Sequence, residues 1–313
     1  MPGLAASLLL WEQEVNVWHR LVLAVTSLVF FTALNRLVVY PLTATWHLPP
    51  QHNARKGGCA SGERHGSPRD DRLSLVNTLV SLAHSTICSL AMLFWGVVPD
   101  IMQTLAAGSA VEMLEGKISA AGLLTPLSLG YFLYDLMDMS RYRLPADMLV
   151  HHVFAIAFTA LVLLLRLADV FWLLVLTCEF NSVFLHLRTI LKLSGVPRDG
   201  ALFAASLAGL FITFAWTRLY IHGRGLWYTL QLLRTATSPM HQLVAAGGIV
   251  GGGIVWLLNL ILLRSLVRSV WRGRRCASSA DAEGVSTGGD TVDVKPNIRV
   301  DEPRAHQRFG HHR

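Results

Sequence analysis

Charge is scarce in this sequence. Lys, Arg, Asp and Glu make up 15% of its 313 residues, against about 25% in a soluble globular domain. With 52% of the residues hydrophobic, that shortage excludes an ordinary water-soluble domain. The four cysteines (Cys59, Cys88, Cys178 and Cys276) show no CxxC spacing, and Cys88 and Cys178 fall inside apolar runs. Neither a disulfide framework nor a zinc ribbon is readable from them. Cys276, just after "SLVRSVWRGRR", reads as a surface thiol, with palmitoylation as the alternative. HxxxH and HxxHH boxes are missing, which removes the multi-histidine iron sites of membrane desaturases and hydroxylases. No cysteine or carboxylate is spaced to complete a zincin-like set either, so no metal is expected. The N-terminus lacks the basic start and short apolar core of a cleaved signal peptide. An internal repeat or a pair of broken helices, as in many transporters, is also missing. No KDEL-like or dilysine ending chooses between endoplasmic reticulum and plasma membrane.

What the chain has instead is long apolar blocks. "LVLAVTSLVFFTAL" (21–34), "FAIAFTALVLLL" (154–165) and "IVGGGIVWLLNLILL" (249–263) are too apolar for amphipathic surface helices, and segments of roughly 17–25 such residues span a bilayer. The sequence predicts an all-α, polytopic membrane helical bundle with seven spans, at about 17–38, 75–98, 121–140, 149–166, 169–191, 201–221 and 243–267. The tight "LRLAD" turn predicts an antiparallel hairpin of the fourth and fifth spans.

The net charge of +7 is concentrated in loops and tail, which argues for membrane topology rather than nucleic-acid binding. Arg55, Lys56, Arg64, Arg69 and Arg72 follow the first span, Arg141 and Arg143 the third, and Arg268, Arg272, Arg274 and Arg275 the last. The positive-inside rule then places the C-terminus in the cytosol; Arg224 and Arg234 count against this orientation and are outweighed. Residues 51–71, and the tail from about Gly273, are Gly-, Ser- and charge-rich and read as solvated. Gly247 with Gly251, and Gly248 with Gly252, form two small-residue faces for close helix packing.

Ionisable groups at membrane depth cost about 2.5–3.5 kcal/mol each and normally face the bundle interior or a cavity. Asn77 and His84 lie in the second span, and Tyr131, Tyr134, Asp135 and Asp138 in the third. His151 and His152 open the fourth; Glu179, Asn181, Ser182 and His186 lie in the fifth; Arg218 lies in the sixth. Tyr131, Asp135 and Asp138 share one helical stripe, and Glu179, Ser182 and His186 another. Adjacent histidines on a helix point about 100° apart, so the pair chelates poorly and suits acid–base work, a carboxylate orienting a neutral imidazole. The bland alternatives are an interfacial histidine pair and aspartates paired with Arg141 or Arg143.

"VNTLVSLAHS" (76–85), "GYFLYDLMDM" (130–139), "DMLVHHVFAI" (147–156) and "CEFNSVFLHLRTILKL" (178–193), in that order, resemble the TLC domain, the module shared by TRAM, Lag1 and CLN8 proteins. Within that family the blocks look most like the TLC domain-containing proteins 1 and 2. The resemblance covers roughly residues 72–268. It implies a six-helix core around a lipid-accessible cavity with the histidine pair inside; hydropathy and composition place before it a transmembrane helix (1–45) and a flexible cytosolic loop (46–71), and after it a disordered tail (269–313). It also implies a role in membrane-lipid homeostasis: setting phospholipid fatty-acyl composition, and so membrane fluidity, through regulation or acyl transfer.

The candidate catalytic groups are His151, His152, Asp135, Asp138 and Glu179. The candidate substrate-binding groups are His84, Tyr131, Tyr134, Asn181, His186 and Arg218. Partners called for are membrane lipids, acyl-CoA as a candidate co-substrate, and a homo-oligomer as a candidate assembly; nucleic acid and cofactors are not. The alternatives are a ceramide synthase-like N-acyltransferase and a non-catalytic lipid-binding or sorting protein. In the ceramide synthase branch the matching histidine pair is essential. The run after His152, "VFAIAFTALVLLLRLADV", departs from that branch.

Overall fold

Long apolar runs without water must satisfy their backbone internally, and helices do this within one segment. The structure, a computed structural model, describes residues 2–46, 68–107, 120–141, 146–165 and 168–286, with Ala110, Leu114 and Ile118 besides. In chain order the helices are α1 (Pro2–Ala33), α2 (Tyr40–Ala44), α3 (Pro68–Phe94), α4 (Val97–Ala107), α5 (Ala121–Met139) and α6 (Ala146–Leu165). They continue with α7 (Asp169–Leu176), α8 (Glu179–Leu193), α9 (Ala201–Thr213), α10 (His222–Thr235) and α11 (Pro239–Ser286). No strand occurs among the described residues.

Five segments are long and apolar enough to cross a membrane: Asn16–Ala44, Arg72–Phe94, Asp169–Leu193, Ala201–Thr235 and Pro239–Trp271. Leu149–Leu165 is a shorter apolar helix; α5, which carries two aspartates, is not among the five, so the described helices give five such spans where the sequence reading expected seven. The chain is thus a multi-pass all-α membrane protein. Exposed Trp18, Val22, Val25 and Val29 on α1 form an outer face suited to lipid rather than water.

Two stretches widen into π-helix, Leu34–Val39 and Phe214–Ile221. The first sits just before Pro41, whose missing N–H cannot bond the carbonyl four residues back. In the second, the Thr217 hydroxyl bonds the Thr213 carbonyl (2.9 Å), as side chains that intrude on the helical ladder do. Helix α8 ends on a Schellman motif: Val196 N–H bonds Leu191 O (3.0 Å), Gly195 N–H bonds Lys192 O (3.3 Å), and Gly195 takes a φ of 70°.

Helix α5 is the hub, packed against α1, α3, α6 and α7. The α1–α5 crossing is close because residue 130 is glycine: a Cβ there would meet the backbone of Ala24 and lie 2.7 Å from Leu28 N. The Ser27 hydroxyl closes the same crossing by donating to Leu127 O (2.7 Å).

Three features differ from the sequence reading. Helix α6 packs chiefly on α5 and only slightly on α7. Left-handed Ala168 (φ 65°) turns the chain so that α7, nearly all buried, enters the core. An unforeseen short helix, α4, follows Gly96 (φ 68°), and its buried Leu105 carbonyl accepts from the Tyr228 hydroxyl (2.8 Å) and Arg224 Nη2 (2.9 Å). Arg224, which weighed against the orientation, thus caps the C-terminal end of α4, where the helix dipole favours a cation. Finally, α11 runs to Ser286, past Gly273. Most of the expected flexible loop and the last stretch of the tail (287–313) lie outside the described residues.

Of the two glycine faces only one is packed. Cβ atoms at Gly248 and Gly252 would meet Thr229 (2.8 Å) and Leu226 (3.6 Å), whereas Gly247 and Gly251 face open space. Gly130→Ala is therefore expected to destabilise the protein by about 1–3 kcal/mol through overpacking. Gly247→Ala should leave stability unchanged or slightly raised. Thermal unfolding of the two purified variants in detergent checks this, and equal behaviour would contradict the packing described.

Candidate functional site

Three polar clusters occupy the interior, each built from side chains that the bilayer forces to find partners. The first joins the π-helical stretch after α1 with α3, α5 and α6. His152 Nε2 lies 2.7 Å from Asp135 Oδ2, with His152 4% and Asp135 5% exposed. Asn77 Nδ2 donates to Asp135 Oδ1 (2.8 Å) and reaches Asp138 Oδ2 (3.4 Å). Asp138 is also held by Arg141 Nη1 (2.9 Å) and Asn35 Nδ2 (3.3 Å). Asn35 in turn donates to the Tyr134 hydroxyl (2.5 Å). The stripe predicted on α5 thus divides its work: Asp135 holds the histidine, while Asp138 is the arginine partner.

With Nε2–H donating to Asp135, the lone pair of His152 lies on Nδ1. That atom is buried and has no hydrogen-bond partner among the described residues. A carboxylate behind one ring nitrogen and a free lone pair on the other is the arrangement of a general base. His151, half-buried, has its ring 5.5 Å from that of His152.

The second cluster lies between α3, α5 and α8. The helical run breaks at Thr177–Cys178 and restarts at Glu179, placing that buried carboxylate in the first turn of α8, where the helix dipole favours an anion. Ser85 Oγ donates to Glu179 Oε2 (2.5 Å), and His84 Nδ1 stands 3.9 Å from the same oxygen. His84 stacks on Tyr131 at 3.8 Å, while its Nε2 faces Cys88 Sγ (3.3 Å) and Ser128 Oγ (3.4 Å). Glu179 therefore contacts Ser85 and His84, not the histidine pair. His186 is half-buried two turns along α8.

The third cluster surrounds Arg218 in the second π-helical stretch. Its guanidinium donates to Asn181 Oδ1 (2.7 Å), Asn259 Oδ1 (2.9 Å) and Ser182 Oγ (3.2 Å). Asn259 Nδ2 faces His222 Nδ1 (3.2 Å), and Asn181 Nδ2 donates to Leu210 O (2.9 Å). One cation thus clamps α8 to α11, a helix otherwise largely on the outside of the bundle.

Ten of the eleven predicted site residues fall in the three clusters; His186 lies on α8 outside their contacts. The sequence reading missed Asn35, Ser85, Ser128, His222 and Asn259 as members. Asn259 was a lone polar residue inside an apolar run, and Asn35 stood beside Arg36 in another, which was the available signal. Among the described residues no three His, Cys, Asp or Glu side chains group closely enough to hold a metal ion.

Comparison with known proteins adds a family. The TLC domain matches residues 74–268. The chain is 32% identical over 235 residues to TLC domain-containing protein 2 of Homo sapiens, covering 72% of this chain and 84% of that protein. It is 30% identical over 197 residues to TLC domain-containing protein 1 of Gallus gallus, covering 61% and 68%. All four motif blocks lie within the matched region.

Arg218→Leu and Asn259→Leu each strand buried polar groups, at about 1–3 kcal/mol per unsatisfied group. Because they break one shared contact, their costs should be non-additive by about 0.5–3 kcal/mol. A double-mutant cycle read by thermal unfolding tests the clamp; simple additivity would show that the contact carries nothing.

Proposed function

Because the chain belongs to the TLC domain family, we propose that it acts on membrane lipids, setting phospholipid fatty-acyl composition by acyl transfer at His152. The observation that carries this reading is the Asp135–His152 contact at 2.7 Å with the buried Nδ1 lone pair left open. In this reading Nδ1 takes the proton from a lipid hydroxyl or amine as that group attacks an acyl thioester. The new ester or amide bond forms at the acyl carbon, the C–S bond breaks, and the thiol leaves with the proton. Asp135 holds the imidazolium formed in between, and Asn77 and Asn35 keep the two aspartates in register. General-base assistance of this kind contributes about 10²–10⁴-fold. Acyl-CoA is the co-substrate that fits this step, and the enzyme would need no metal.

His152→Ala and Asp135→Asn are expected to give cells the phospholipid acyl profile of a null, with the protein still folded and in the membrane. Lipid profiling of cells carrying each variant checks this. A response confined to ceramides would favour sphingoid N-acylation instead. Wild-type profiles from well-folded variants would remove the site from lipid handling. Glu179→Leu separates the clusters: a defect accompanied by lost thermal stability assigns Glu179 to the scaffold, and a defect at unchanged stability assigns it to the chemistry.

A further inference from the structure

One cavity opens beside the first cluster. It measures about 360 Å³ and is walled by Leu73, Val76 and Tyr40, with Arg36, Arg141, Asn35 and Asp138 supplying its polar groups. Asp138 is already met by Arg141, Asn35 and Asn77, so its charge is offset where it stands. Arg141 is half exposed and spends one nitrogen on Asp138. Arg36 is exposed and has no hydrogen-bond or ion-pair partner among the described residues. A third arginine, Arg72, lies over the Tyr40 ring at 4.9 Å and adds positive charge at the rim. Two guanidinium groups with donors to spare, against one carboxylate already occupied, make a small cationic chamber at a helix-bundle end.

We infer that this cavity is a binding site for the phosphate group of an amphiphilic ligand, held between Arg36 and Arg141 with its apolar part along Leu73 and Val76. Two arginine forks converging on one space suit a group with three or more acceptor oxygens, and Arg matches phosphate bidentately. The site shares Asn35 and Asp138 with the first cluster, and Asp138 lies one helical turn from Asp135, the partner of His152. The inference rests on the lipid-handling reading above for its purpose, but not for its chemistry. The phosphate can come from a lipid headgroup or from a soluble carrier such as coenzyme A.

The test is native mass spectrometry of the purified full chain in detergent, titrated with dioleoyl phosphatidate, dioleoylglycerol, oleate and coenzyme A. Phosphatidate should be retained, and Arg36→Gln, which removes no contact of the folded protein, should weaken it by about tenfold. Arg36→Gln with Arg141→Gln should abolish retention. Arg198→Gln, an exposed arginine elsewhere, should bind as the wild type does. Displacement of phosphatidate by coenzyme A identifies a soluble carrier, and persistence in its excess identifies a lipid headgroup; either outcome supports phosphate recognition. Equal retention of dioleoylglycerol or oleate, wild-type binding by the double variant, or equal weakening by Arg198→Gln overturns it. An unchanged lipid profile in His152→Ala cells with phosphatidate still bound would sink the acyl-transfer reading alone. Loss of the adduct in the wild type would sink this one alone.

Discussion

The contact between His152 and Asp135 is the interaction around which the first cluster is arranged. Neither group could be carried into a bilayer-spanning bundle alone, since an unpaired ionisable side chain at that depth costs several kcal/mol. Their pairing at 2.7 Å in turn needs Asn77 on a third helix to hold the other oxygen of Asp135. It also needs Arg141 and Asn35 to hold the neighbouring Asp138. The pair joins α5 to α6, and Asn77 and Asn35 extend the same cluster to α3 and to the π-helical stretch after α1.

The same constraint explains why polar contacts, not apolar area, specify which helices meet. Lipid is as apolar as leucine, so burying leucine against leucine gives little reason to choose a partner. Close approach and hydrogen bonds make the choice instead. Gly130 lets α1 sit against α5, Ser85 and Glu179 join α3 to α8, and Arg218 with Asn259 ties the peripheral α11 to the bundle. The π-helical stretches carry Asn35 and Arg218, two of the residues on which these joints depend.

Much of this was legible in the sequence because membrane depth makes polar residues conspicuous. The stripe of Tyr131, Asp135 and Asp138 follows from helical spacing alone, and the structure places all three inward. Which helix faces that stripe does not follow from spacing, because partner choice depends on interhelical contacts far apart in the chain. Glu179 illustrates the loss: its mid-span position was evident, but its attachment to Ser85 and His84, 94 and 95 residues away in sequence, was not. Asn35 escaped because its span lies before the recognisable motif blocks and reads as a plain apolar anchor. Arg224 read in the sequence as a loop cation, while in the folded chain it donates to the Leu105 carbonyl of a short helix that apolar periodicity did not reveal.

The central claim is a tautomer: His152 carries its proton on Nε2 toward Asp135 and keeps Nδ1 open. Nitrogen-15 NMR of histidine-labelled protein in lipid bilayers, with His152→Asn to assign the signal, reads this directly. The account predicts a protonated Nε2 and a bare Nδ1 for His152, and loss of that preference in Asp135→Asn. A His152 protonated on Nδ1, or one unaffected by removal of the Asp135 charge, would contradict it.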